Sequence, residues 1–122
     1  MLVAKVNPPA KRIYQDNPFH TGEMTAEYMV AKCVQLAVSP VPNSPSDEIV
    51  FQVRFGKIRY DKNPDGSNGN PILDTVIACR VTFTTQELSN WGTDDTYVYQ
   101  KIAEKLGFNI VSTEVLPMHY NG

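Results

Sequence analysis

Two stretches of this chain alternate apolar and polar residues with the period of a strand, and one repeats its apolar residues with the period of a helix. Ile49–Tyr60 (IVFQVRFGKIRY) is the clearest strand, with Phe51, Val53 and Phe55 separated by Gln52 and Arg54. One face is therefore buried and the other wet. After Gly56 the parity changes, and Ile58 and Tyr60 become the apolar set. One residue inserted at a glycine does this, which predicts a β-bulge near Gly56–Lys57. Ile72–Thr84 alternates again, with Leu73, Ile77, Cys79, Val81 and Phe83 on one face and Asp74, Arg80 and Thr82 on the other. Between them, Asp61–Asn70 (DKNPDGSNGN) carries Asp-Gly and Asn-Gly, so the two strands form a hairpin.

Tyr28–Val38 (YMVAKCVQLAV) is apolar on both faces, as a central strand would be. A helix from Thr25 would also gather Ala26, Met29, Val30, Cys33 and Ala37 on one side. The strand is favoured because the run is short and a loop with three prolines, Ser39–Glu48, follows it. The three strands then make an antiparallel meander. Thr84-Thr85-Gln86-Glu87 fits a capping box and predicts a short turn through Asn90. Asp94–Leu106 is a better-specified helix. Thr93, Asp94 and Asp95 supply cap oxygens, Val98, Ile102 and Leu106 form a stripe widened by Tyr99 and Ala103, and Gly107 stops it. Phe108–Leu116 reads as a last strand, with Ile110, Ser112, Glu114 and Leu116 on one face.

The expected fold class is α+β. A meander or sandwich-like sheet contains one long bulged hairpin, and a helix from the C-terminal half packs on it. Residues 28–116 form this body, and 117–122 are a tail. Residues 1–27 read as an extended arm, because Pro8, Pro9 and Pro18 remove donors and no strand or helix period survives from Val6 to about Thr25.

Composition adds bounds. With 122 residues the chain has room for one modest core, and its nine prolines cluster in the arm and in the Ser39–Pro45 loop. Net charge is −2, with seven Lys/Arg and five Asp/Glu in residues 1–60 against four and eight in 61–122. No run supplies the basic face that counterion release needs, so nucleic acid is not an expected partner. Lys11-Arg12 beside Ile13-Tyr14 is the nearest approach, and it reads as a solvated stretch. No signal-peptide pattern and no apolar run of about 20 residues appears, so a soluble protein made in the cytosol, with no membrane partner, is expected. Cys33 and Cys79 are expected as reduced core thiols.

Few residues suggest chemistry. Asp61, Asn63 and Asp65 with Gly66 match the first half of an EF-hand calcium loop, but position twelve is Ile72 where a bidentate Glu is required. Turn chemistry explains the same residues. Trp91-Gly92-Thr93-Asp94-Asp95 resembles the G-T-[DE] corner of annexin repeats over five residues, and helix capping accounts for it. His20 and His119 stand in opposite terminal segments with no metal-ligand spacing, and no phosphate-binding glycine loop is present. No cofactor is expected, and the chain reads as a non-enzyme.

The block from Phe51 to Gly107, with VRFGKIRYD, VTFTTQELSNWGTDD and QKIAEKLG, resembles small, uncharacterised structural proteins of tailed bacteriophages. The resemblance covers about half the chain and carries no motif residue. It implies a component of the capsid, neck or tail, assembled in the host cytoplasm, whose partners are further copies of itself and other virion proteins. The residues point the same way. An arm carrying Ile13, Tyr14 and Phe19, flanked by Lys11 and Arg12, needs somewhere to bury its apolar side chains. A neighbouring copy offers that place. The alternatives are a small metal- or ligand-binding domain in the cytoplasm and a host-directed regulatory binding protein.

Overall fold

A computed structural model describes residues 1–36, 48–84, 86–88, 91, 94–117 and 119–121. The order is β1 (Leu2–Asn17), β2 (His20–Leu36), β3 (Glu48–Lys62), β4 (Asn68–Thr84), α1 (Asp95–Leu106), β5 (Asn109–Val115) and β6 (His119–Asn121). They build one open sheet in the order β5-β1-β2-β3-β4-β6. All neighbours are antiparallel except β4 and β6. The class is α+β, with a single sheet rather than a sandwich. The helix leaves the β4 side of the sheet and returns the chain to β5, so it lies across one face.

That face holds the main core. Ala4, Met29, Phe51, Val53, Phe55, Val81 and Phe83 from the strands meet Val98, Tyr99 and Ile102 from α1. Phe51 meets Phe83 edge to face, with ring centres 6.0 Å apart, and Phe55 lies 5.0 Å from Phe108. The opposite face carries a smaller core of Val3, Val30 and Leu73, with Tyr28, Ile58 and Leu116 against it.

The helix begins and ends where capping chemistry predicts. Asp94 Oδ1 accepts from the Thr96 N–H at 3.0 Å, and Gly107 takes the left-handed conformation (φ 86°) that closes the last turn. The capping box at Thr84 is reciprocal. Thr84 N–H donates to Glu87 Oε1 at 2.9 Å, and Glu87 N–H donates to Thr84 Oγ1 at 3.2 Å. Of the expected Ser39–Glu48 loop, Glu48 opens β3 and residues 39–47 lie outside the described residues, as do Ala37, Val38, Thr85, Asn90 and Thr93.

Several expectations change. Residues 1–27 are not an arm set apart from a body. Leu2–Lys5 pair with β5, Ala4 and Lys5 also pair with β2, and Val3, Ala4, Val6 and Ala10 are buried. Pro8 and Pro9 fall where the β1–β2 register slips between Lys5 and Ala10, so the missing N–H groups break no ladder bond there. The tail is not separate either, since His119–Asn121 pair in parallel with Ile72–Asp74. The bulge lies at the predicted place, but its extra residue belongs to the other strand. Phe55 pairs with Ile77 and Gly56 with Thr75, which leaves Val76 of β4 over. Leu73 consequently faces away from Ile77, Cys79, Val81 and Phe83, joining Ile58 on the helix-free side. In β5 the slip between Lys5 and Val6 leaves Val111 unmatched. Ile110 therefore packs on the helix side, and Ser112 and Glu114 do not share its face.

Candidate functional site

Beyond the bulge at Val6–Pro9, β1 and β2 continue as a two-stranded ribbon. Ala10 pairs with Ala26, Arg12 with Met24, Tyr14 with Gly22 and Asn17 with His20. The β2–β3 pairs stop at Tyr28–Gly56 and the β1–β5 pairs at Asn7–Asn109, so the ribbon extends past both neighbours. Its root is anchored: Ala10 and Ala26 are buried in the main core with Val76, and Arg12 Nη1 donates to the Val76 carbonyl at 3.2 Å.

The ribbon's outer part is apolar and solvent-facing. Phe19 is 91% exposed, Ile13 72%, Met24 42% and Tyr14 41%. The turn holds Phe19 outward, because Asn17 Oδ1 accepts the Phe19 N–H at 2.9 Å and lies 3.1 Å from His20 Nδ1. Opposite residues of an antiparallel pair share a face. Tyr14 and Met24 thus lie on the face that continues the core, with the Tyr14 ring over Gly22, where any Cβ would collide with it. Ile13 lies on the other face beside Glu23, which is 3.8 Å from Lys11 in an exposed ion pair. The five residues singled out in the sequence therefore belong to one ribbon but not to one patch. Arg12 is committed to the body, Lys11 to Glu23, and only Phe19 and Ile13 stand fully outward.

A second feature lies at the far end of the same sheet, which the sequence did not signal. The β1–β2 register pairs end at Ala4–Met29, and the same register carried two residues further would set Leu2 opposite Ala31. Instead Tyr99 Oη sits between them, donating to the Leu2 carbonyl at 2.7 Å and accepting the Ala31 N–H at 2.9 Å. At this place lies a cavity of about 350 Å³ lined by Leu2, Ala31, Phe51, Trp91, Val98 and Tyr99, together with Met1, Lys32, Cys33 and Asp95. Trp91 packs against Phe51 with ring centres 5.7 Å apart, and its Nε1 is buried without a hydrogen-bond partner among the described residues.

The remaining candidates are not brought together. Asp61 Oδ1 faces Arg59 Nη1 at 3.4 Å. Asp65 Oδ1 accepts from the Ser67 N–H at 3.0 Å and the Ser67 hydroxyl at 2.6 Å. The Ser67 hydroxyl, then its backbone N–H, hold the Asp65 carboxyl below its usual range. Asn63 closes the same turn, its carbonyl accepting the Gly66 N–H at 2.9 Å. These side chains serve the β3–β4 turn and do not converge on a common point. No group of three or more His, Cys, Asp or Glu gathers among the described residues. The cysteines were expected in the core. Cys33 is exposed and Cys79 half-buried, both as thiols, and burial pushes the Cys79 thiol up. His20 stands at the ribbon tip, eleven or more positions along β2 from either thiol-bearing region, so no Cys–His pair forms there. No helix of the described residues is long and apolar enough to cross a membrane.

No protein-family model, curated protein or solved structure matches this chain.

Proposed function

We propose that this chain is a non-enzymatic structural protein that assembles with further copies of itself through the β1–β2 ribbon. The observation that carries this reading is Phe19, a large apolar side chain 91% exposed at the tip of a ribbon whose root is core. Exposed aromatics on a projecting element mark contact surfaces, since a phenylalanine gains roughly 150–250 Å² of burial only if a partner covers it. An internally satisfied β3–β4 turn, and chemistry-bearing groups scattered over both ends of the sheet, favour contacts over catalysis. A virion role in a tailed bacteriophage, within the capsid, neck or tail and beside other virion proteins, rests on the resemblance of the Phe51–Gly107 block.

The test shortens the ribbon. Arg12 and Met24 are directly opposite, so an Asn-Gly turn joining them should close a two-residue hairpin without disturbing the root. The shortened protein is expected to keep its circular dichroism and cooperative melting but to sediment as a monomer, while the native chain sediments as an oligomer. A native chain that is monomeric at high micromolar concentration, or a shortened chain that assembles unchanged, sinks the reading. Mass spectrometry of purified phage particles tests the virion assignment separately.

A further inference from the structure

The two edges of the sheet are unequal. At one end β6 pairs with β4 over three residues, whereas β5 runs along the other end for seven, and nothing among the described residues pairs with its outer side. Met1 and Leu116 exchange both backbone bonds, each at 2.9 Å, so they form a hydrogen-bonded pair of the β1–β5 ladder. Such pairs alternate. Glu114 and Ser112 therefore direct their N–H and C=O groups to Val3 and Lys5, while Thr113 and Val115 turn theirs outward. The side chains leave this edge open as well, since Val111 is 60% exposed and Val115 75%. Asn109–Val115 holds no Lys, Arg or Pro, the residues that blunt an exposed edge. The free edge of β1 beyond Asn7, by contrast, carries Pro8, Pro9, Lys11 and Arg12.

We infer that β5 pairs antiparallel with β5 of a second copy about a two-fold axis through Thr113, joining two sheets edge to edge. The inference rests on the assembly reading above and adds a second contact to the ribbon. Self-complementarity commits the edge to a copy of itself. Of the registers that set outward backbone against outward backbone, the one centred on Glu114 opposes two carboxylates directly. Centring on Thr113 lets the two threonines exchange both backbone bonds and sets Ser112 opposite Glu114 of the second copy. The Ser112 hydroxyl then has a carboxylate to donate to, and Val111 meets Val115 at both ends of the pair. The slip that leaves Val111 unmatched against β1 ends the regular edge there, so the contact is short. A strip from Val111 to Val115 covers far less than the roughly 800 Å² per partner of a standard interface. Alone, it does not hold two copies in dilute solution. Ribbon contacts supply the raised effective concentration at which such a pair forms. Being two-fold, the edge contact is closed and links copies in pairs.

Disulfide trapping tests this on the full chain. Cys33→Ser/Cys79→Ser protein carrying Thr113→Cys is oxidised gently at a concentration where the native chain is assembled. A hydrogen-bonded antiparallel pair holds its Cα atoms about 5.5 Å apart, within the roughly 4.4–6.8 Å that a disulfide spans. Thr113→Cys should therefore give a linked dimer, and Glu114→Cys, offset from its mate by two positions, should not. In the chain with the shortened ribbon, Thr113→Cys should stay unlinked. Thr113→Pro gives a readout that needs no cysteine. It removes an outward N–H, so the protein should melt as the native chain does and lose its largest assembled species. Glu114→Pro removes an N–H bonded to β1 and should lower the melting temperature. If the native chain assembles but Thr113→Cys links no more than Glu114→Cys, or Thr113→Pro assembles unchanged, the edge pairing fails and the ribbon reading stands. Equal linking in the shortened chain overturns the dependence on the ribbon. A native chain that never assembles overturns both.

Discussion

Tyr99 Oη lies 2.7 Å from the Leu2 carbonyl and takes the place that Ala31 would hold in an unbroken β1–β2 ladder. One hydroxyl thus joins the helix to two strands and props open the cavity between them. A buried carbonyl and N–H that lose a shared partner each carry a desolvation penalty. Tyr99→Phe is therefore expected to cost about 1–3 kcal/mol, read from the urea midpoint at unchanged slope. Because the strands would be freer to close, the same variant should also move Trp91 emission. An unchanged midpoint would show that water replaces the hydroxyl.

Gly56 is needed for space rather than for conformation. A Cβ there would run into the Asp74 carbonyl oxygen and meet the Leu73 side chain at 3.0 Å. The obstacle is backbone at the bulge, where Val76 is the extra residue, so it cannot swing aside. Gly56→Ala should destabilise by about 1–3 kcal/mol through overpacking. Gly66→Ala tests a different cause, since its φ is 86° with open space around it. Its loss should be strain alone, roughly 1 kcal/mol. Equal thermal shifts for the two would contradict the steric account.

Much of this body can be read in the residues, and the unread part has a physical reason. β3, β4 and α1 bury one face against another element, so their apolar residues recur with the element's own period. The ribbon from Ala10 to Ala26 faces water on both sides beyond its root, which leaves no inside and outside to alternate. Its core contacts fall to small residues, Ala10 and Ala26, that carry little hydropathy. Cys33 stands in an apolar run and was expected to be buried, yet the run ends where Tyr99 parts β1 from β2. The Trp91 cavity depends on that long-range hydroxyl, and no local pattern encodes it. Phe19 could be named as an anchor from sequence because an apolar side chain between Pro18 and His20 has no periodic partner to bury it.

The capping box at Thr84 gives stability a pH signature. The Thr84 backbone N–H, and then Lys105 at 3.4 Å, hold the Glu87 carboxyl below its usual range. A depressed folded-state value means that the carboxylate's contribution is present above the unfolded glutamate range. It is lost as pH falls through the folded value. The melting temperature of the native chain should exceed that of Glu87→Gln at neutral pH, and the gap should close on acidification through that window. A gap that is constant with pH would assign the effect to shape rather than charge.

The two thiols should separate by rate. Cys33 is exposed, whereas Cys79 is half-buried on the helix side of β4 and burial pushes its thiol up. Thiolate is the reacting form. A disulfide reagent added to dilute protein should therefore give one fast and one slow phase, and the slow one should quicken steeply as pH is raised. Cys79→Ser should remove the slow phase and keep the fast one. A single phase of double amplitude would contradict the burial difference.

The ribbon's root and tip should respond to substitution in opposite ways. Ala26 is fully buried against Ala10 and Val76, while Phe19 is 91% exposed. Ala26→Asp would place a carboxylate in an apolar core already filled by Ala10 and Val76, and several kcal/mol should be lost. Phe19→Ser removes a larger side chain but exposes no new cavity, so folding stability of the isolated chain should stay within about 0.5 kcal/mol. Assembly should show the reverse order per unit of stability lost, with Phe19→Ser abolishing it in a protein that melts normally. Hydrogen exchange checks the same division within one molecule: amides from Ala26 inward should exchange only with global unfolding, and those from Thr21 to Glu23 far sooner. If both ends exchanged together, the ribbon would be as much a part of the core as its root, and its tip would not be a separable contact surface.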